Sequence, residues 1–177
     1  QAEPHPSPIR RGPLLYNVFV TRTEGHATGW EENMLHAGMF DATPRSRELI
    51  WILLAQRAAR ALGDLHMHAN LRTLDQASAE ASRDTPRGWL RLDGRTVRHE
   101  QHLYLTQPAY GTSYVIGKLE IERLMAEVRR REGDTFSLRR FMDAFDAAGL
   151  IPTTLLAWEL TGTLDEAGRR VLADAPR

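Results

Sequence analysis

Residues 45–65 read RSRELIWILLAQRAARALGDL. Leu49, Ile50, Leu53, Leu54, Ala58, Ala61 and Leu62 recur at spacings of three and four, with Arg57 and Arg60 on other faces. This is the period of an α-helix, not the two-residue alternation of a strand. The same period returns over 112–131, which predicts a helix with Val115, Ile116, Leu119, Leu124, Met125 and Val128 inward and a charged opposite face. Thr73-Leu-Asp-Gln76 has the spacing of a capping box and opens a helix towards Ser82. Ser137-Leu-Arg-Arg-Phe-Met opens another, expected to stop at Gly149 as its C′ residue with Pro152 beyond. Short helices at 152–160 and 163–173 follow, the second begun by Thr163-Leu-Asp-Glu166.

Between these elements, residues 83–94 hold Pro86, Gly88 and Gly94 and read as a loop that carries Trp89. Pro4, Pro6, Pro8 and Pro13 make 1–13 an extended arm or a truncated linker, since each proline fixes its own φ and pushes its predecessor out of the helical region. The predicted fold is therefore all-α, an irregular helical bundle over 14–177.

Composition narrows the function. The chain has 177 residues, with 23 basic side chains balanced against 23 acidic ones. That length suits one domain of roughly 100–200 residues, and the even charge argues against nucleic acid as a partner, because a binder needs a basic face or stripe. With no cysteine, disulfide scaffolds and thiolate chemistry are excluded. Residues 1–11 carry no apolar run, so neither a signal peptide nor a membrane span of about 20 apolar residues is expected. Both cytoplasm and export fit this composition.

Seven histidines raise the question of a metal. His66 and His68 are two apart, which on a helix turns them to faces about 200° apart. His99-Glu100-Gln101-His102 falls one residue short of His-Glu-x-x-His, with Leu103 where the second ligand should stand. His5 lies in the arm, and His36 near a helix end, where a cation meets the dipole favourably.

Two other stretches are richer. In Thr23-Glu-Gly-His-Ala-Thr-Gly-Trp-Glu31-Glu32, a helix would align Glu24, Thr28 and Glu31 on one face. Gly25 and Gly29 each cost that helix about 1 kcal/mol, which points to close packing or room for a ligand; the plainer alternative is a solvated acidic face with a kink. In Gln107-Pro-Ala-Tyr110-Gly-Thr-Ser-Tyr114-Val-Ile-Gly-Lys118, Tyr110 and Tyr114 present two phenols on one side, with Gly111 and Gly117 expected to keep the stretch open. Paired tyrosines can donate to a developing oxyanion, or can simply pack with their hydroxyls at the surface. Lys118 is an anion partner or a solvated charge.

These residues, in order, resemble the C-terminal part of the bacterial domain-of-unknown-function 885 family, whose members are similar in fold to helical gluzincin zinc peptidases. Glu24-Gly25 with Glu31-Glu32-Asn-Met-Leu-His-Ala-Gly38 resembles the family's Glu-Gly-Trp segment. The likeness continues through Pro44-Arg-Ser-Arg-Glu48, Asp64-Leu-His-Met-His68, Thr85-Pro-Arg-Gly-Trp89-Leu, the Gln107 to Lys118 stretch, and Ala148-Gly-Leu-Ile-Pro152 to Trp158-Glu-Leu-Thr-Gly162. His26 stands where the family commonly has tryptophan.

The resemblance implies a zinc peptidase half-site. In such enzymes an upstream His-Glu-x-x-His helix gives two zinc ligands and the general base, and a later glutamate completes the set. Glu24 falls on that later glutamate. Glu31 or Glu32 would orient the ligands from behind, and His68, Tyr110 and Tyr114 would hold a peptide-like substrate or its tetrahedral intermediate. No His-Glu-x-x-His occurs in these residues, so zinc is expected only in a site completed by an upstream segment or partner chain. The expected function is the C-terminal part of a zinc-dependent metallopeptidase-like hydrolase, inactive alone; the alternative is a non-catalytic helical module that binds a peptide or protein in the same groove. Either way, apolar surface left uncovered is expected to drive self-association.

Overall fold

The structure is a computed structural model, and it describes residues 6, 20–86, 89–164 and 166–173. The expectation of a proline-rich arm over 1–13 falls, apart from Pro6, outside the described residues. Among the described residues eight α-helices follow in order: α1 (Val20–His36), α2 (Pro44–His68), α3 (Leu74–Asp84), α4 (Arg95–Thr106), α5 (Tyr110–Glu132), α6 (Leu138–Ala147), α7 (Thr153–Thr161) and α8 (Glu166–Ala173). A 3₁₀ turn, Gly133–Thr135, joins α5 to α6. No strand occurs among the described residues, and none of their helices is long and apolar enough to cross a membrane.

The helix ends follow local chemistry. At α3 the capping box closes in both directions: the Gln76 N–H donates to Thr73 Oγ1 at 3.3 Å, and the Thr73 N–H donates to Gln76 Oε1 at 2.9 Å. Ser137 caps α6 by accepting from the Arg140 N–H at 3.4 Å. Gly149 ends α6 with φ +75°, the left-handed conformation expected of a C′ glycine. The Thr163-to-Glu166 spacing includes residue 165, outside the described residues. Sequence reading did not delimit α4, because its inward positions are Val97, Gln101 and Tyr104, and a glutamine interrupts the apolar stripe.

Helix α5 is central, with α1 along one side and α2 along another. α3 and α4 stack beyond α2. The main core joins Ile121, Leu124 and Val128 of α5 to Phe141, Met142 and Phe145 of α6, with Ile151 and Leu156 closing it. A second cluster of Met67, Ala77 and Tyr104 lies under α2, α3 and α4, and a third joins Ala81, Leu90 and Val97.

The crossing of α1 and α5 is unusually close. A Cβ on Gly117 would lie 1.8 Å from the Thr21 carbonyl oxygen, and one on Gly25 would lie 2.3 Å from the Gly117 carbonyl carbon. Gly111 is likewise a contact point, where a Cβ would sit 2.8 Å from the Tyr104 ring and 2.9 Å from Asp64 Cβ. The expectation that Gly111 and Gly117 keep their stretch open is thus corrected: both let backbone pack where a side chain would collide.

Two inward faces also differ from expectation. On α5, Ile116 and Leu119 are 50% and 41% exposed, while Ser113, Gly117, Lys118 and Ile121 are buried. On α2 the apolar stripe turns largely outward, with Leu49, Leu53 and Leu62 exposed and Ala59, Ala61, Gly63, Asp64 and Met67 buried. The reason is steric: α4 approaches so closely that a Cβ on Gly63 would meet the Gln101 amide at 2.4 Å. Small residues and paired polar groups fill that seam, and the leucines take the outside. Among them Trp51, Leu62 and Leu65 continue an exposed row with Ala55 and Ala58.

Lys118 is buried at 8% exposure, its Nζ 2.8 Å from Glu32 and 2.5 Å from Glu122. It is an anchored ion pair, not a solvated charge.

Candidate functional site

Four helices bring polar groups together beside the first turns of α5. From α1, Glu24 Oε1 accepts a hydrogen bond from the Tyr110 hydroxyl at 2.5 Å, across 86 positions of sequence. Tyr114, one turn further along α5, packs edge-on against Tyr110 with ring centroids 5.7 Å apart. On the other side Tyr104 of α4 stacks on Tyr110 at 6.2 Å and 18°. Three phenols therefore run in a row, and carboxylates face two of them: Glu24 accepts from Tyr110, and Glu100 accepts from Tyr104 at 3.0 Å.

The cations come from α2. Arg57 donates to both oxygens of Glu31, at 2.5 and 2.9 Å, and its guanidinium lies 5.6 Å from the Tyr114 ring centroid. A two-pronged Arg–carboxylate pair fixes orientation as well as charge. Glu31, two turns after Glu24, thus holds Arg57 against Tyr114. Arg60 donates to the Tyr104 hydroxyl at 3.3 Å, and Gln101, fully buried, donates to the Arg60 carbonyl at 3.1 Å.

Burial pushes all three phenols above their ordinary range. At Tyr110 and Tyr114 the Glu24 carboxylate adds to that rise, since a nearby negative charge disfavours phenolate. The tyrosines are neutral donors at physiological pH. Arg57 is held above its ordinary value first by the Glu31 hydrogen bonds, against the opposing effect of burial.

Glu24, Tyr110 and Tyr114, expected together, are together. His68 is adjacent but faces elsewhere: its Nε2 lies 2.8 Å from the Tyr104 carbonyl and 3.5 Å from Asp64. His66 faces Glu80 at 3.5 Å, as the two-residue spacing implied. Of the two orienting glutamates, Glu31 joins the site through Arg57, whereas Glu32 turns to Lys118 and His36. His26 packs on Phe145, 3.8 Å from Asp146. Sequence reasoning passed over Arg57, Arg60, Glu100 and Tyr104. Charged residues at i and i+3 in an otherwise apolar helix were the available clue to the arginines.

Of the zinc ligands the resemblance implies, these residues include one, the Glu24 carboxylate. Among the described residues no group of three or more His, Asp or Glu could hold an ion. A zinc centre does not fit these residues by themselves. Two open clefts lie elsewhere. One of about 540 Å³, between Arg123, Thr153 and Leu164, begins some 10 residues beyond Tyr110, roughly 15 Å along α5. The other, of about 490 Å³, includes His99 and His102.

Comparison with known proteins places the chain in a wider group. The family model described as "Bacterial protein of unknown function (DUF885)" matches residues 4–160. The fold is similar to the crystal structure of the "putative lipoprotein from Colwellia psychrerythraea", with a TM-score of 0.71 and 26% identity. That likeness covers 82% of this chain and 24% of the other, so the chain spans about a quarter of that protein's length. No curated protein matches this chain.

Proposed function

The chain belongs to the DUF885 family, and on that premise we propose that it is the C-terminal part of a zinc-dependent metallopeptidase-like hydrolase. In this reading it contributes Glu24 and a wall of tyrosines to a cleft completed by a His-Glu-x-x-His segment, upstream or on a partner chain. The observation that supports it is the 2.5 Å bond from the Tyr110 hydroxyl to Glu24, with the neutral Tyr114 phenol beside it. When bound in the completed site, a catalytic zinc would polarise a carbonyl and activate water.

Tyr110 holds one oxygen of Glu24, as outer partners commonly orient a ligating carboxylate. Tyr114, kept protonated by burial and by the Glu24 charge, can donate to an oxygen that gains negative charge. Arg57, clamped by Glu31, supports the Tyr114 ring from the α2 side and adds positive potential. A peptide-like substrate is the proposed class, because an amide carbonyl is the group this donor set can polarise.

The test joins this chain to a His-Glu-x-x-His segment and titrates zinc calorimetrically. The reading expects stoichiometric binding that Glu24→Ala abolishes, and weak zinc binding without hydrolysis for the chain alone. Binding unaffected by Glu24→Ala overturns it. Peptide capture that persists in chelator would instead select a non-catalytic binding module.

A further inference from the structure

We propose that Asp64 and His68 are positioning residues for the Glu24–Tyr110 pair, acting through the first turn of α5. This deepens the reading of the same site, but its geometry stands on separate contacts. Helix α5 begins abruptly: Ala109, its N-cap, has φ +67° and offers no side-chain cap. The first N–H groups of a helix need acceptors from elsewhere.

Asp64, 1% exposed on α2, supplies them: its Oδ2 accepts the Thr112 N–H at 3.0 Å, and the N–H groups of Ala109 and Gly111 also act on its carboxyl. A carboxylate there also meets the positive end of the helix dipole. It is a cap donated by another helix. Asp64 and Tyr104 close on Gly111 from two directions, leaving no room for a Cβ. Tyr110, the preceding residue, is thereby aimed along the Tyr104 ring towards Glu24.

His68 completes the clamp. The Tyr104 carbonyl can only accept, so the 2.8 Å contact requires the proton on Nε2. That N–H also leans on Asp64 Oδ1 at 3.5 Å, an oxygen otherwise without a hydrogen bond. One imidazole thus ties α4 to the residue that caps α5. The role expected of His68, holding substrate, is replaced by holding the scaffold that aims Tyr110.

The experiment follows the Tyr110 hydroxyl proton by NMR in the whole chain, assigned by its loss in Tyr110→Phe. In Asp64→Ala its exchange with water should accelerate by roughly tenfold or more, as local opening of the α5 start predicts. Asp64→Asn, whose amide oxygen can still accept the Thr112 N–H, should restore most of the protection. Leu156→Ala, in the distant core, serves as the control for general destabilisation. A folded Asp64→Ala protein with unchanged exchange, or equal acceleration in Leu156→Ala, overturns the proposal. If Asp64→Ala does not fold, His68→Ala decides, its side chain being one third exposed (32%): unchanged exchange there also overturns it. The readout needs no metal, so failure of the zinc reading leaves it unaffected.

Discussion

Gly117→Ala should be among the costliest single-methyl additions in this protein. Its Cβ would stand 1.8 Å from the Thr21 carbonyl oxygen and force α1 away from α5, because the obstructing atoms are backbone and cannot rotate aside. Overpacking of a tight contact costs about 1–3 kcal/mol and sometimes more. Alanine returns about 1 kcal/mol of helix propensity. With both sides of the crossing rigid, a net loss of about 2 kcal/mol is expected, or a Tm lower by about 4–8 °C for a chain of this size. Gly29→Ala is the internal control: it lies on α1, the other helix of the crossing, and its Cβ would meet only Lys118 Cγ, at 3.8 Å. That variant should be neutral or up to about 1 kcal/mol more stable. Thermal unfolding followed by circular dichroism at the helical band compares the two. Since Glu24 adjoins Gly25 in the crossing, Gly117→Ala should also weaken the Tyr110–Glu24 bond, read as faster exchange of the hydroxyl proton. If Gly117→Ala melts with the wild type, or both alanines lose stability equally, the reasoning from the glycine contact is wrong.

Three further outcomes follow from particular contacts. Burial opposes ionisation of Glu32, but Lys118 and His36 outweigh it and hold the carboxyl below its ordinary value of 4.5. Its stabilising contribution is therefore full above that value and lost as pH falls through the folded one; urea unfolding at falling pH should show a steeper loss in wild type than in Glu32→Gln, and equal slopes would refute this. Arg22, buried, donates to the Phe145 carbonyl at 2.8 Å near the end of α6, so Arg22→Met should cost about 1.5–3 kcal/mol, measured by denaturant unfolding, with no loss counting against the contact. The outward row of Trp51, Leu62 and Leu65 on α2 should pair with the same helix of a second copy at high concentration; Leu62→Glu with Leu65→Glu should lower the mass seen by light scattering without lowering Tm, and an unchanged mass rejects that route.

The candidate site was partly legible. Glu24 and the i, i+4 tyrosines stand out in the sequence by spacing and by family resemblance, and all three meet. Their supports were not legible, because each comes from a different helix: Glu31 reaches Arg57 across 26 positions and Asp64 reaches Thr112 across 48. No local period encodes such a meeting. His68 drew attention through the family resemblance, and its partners are a backbone carbonyl and Asp64.

Sequence by itself determined that the chain is helical, where α3 and α6 begin, and that Gly149 ends α6, because caps and periods are local and act within a turn or two. Which face of each helix turns inward was decided only by tertiary structure. α2 is apolar on more than one side, and a helical period says which residues share a face without saying which face is covered. That choice was made by closeness of approach: at Gly25 with Gly117, at Gly63 with Gln101 and at Gly111 with Tyr104, absent side chains let helices touch. With those contacts made, Leu49, Leu53, Leu62 and Leu65 of α2 lie outward, while Arg57 and Arg60 meet the tyrosines and Asp64 the start of α5.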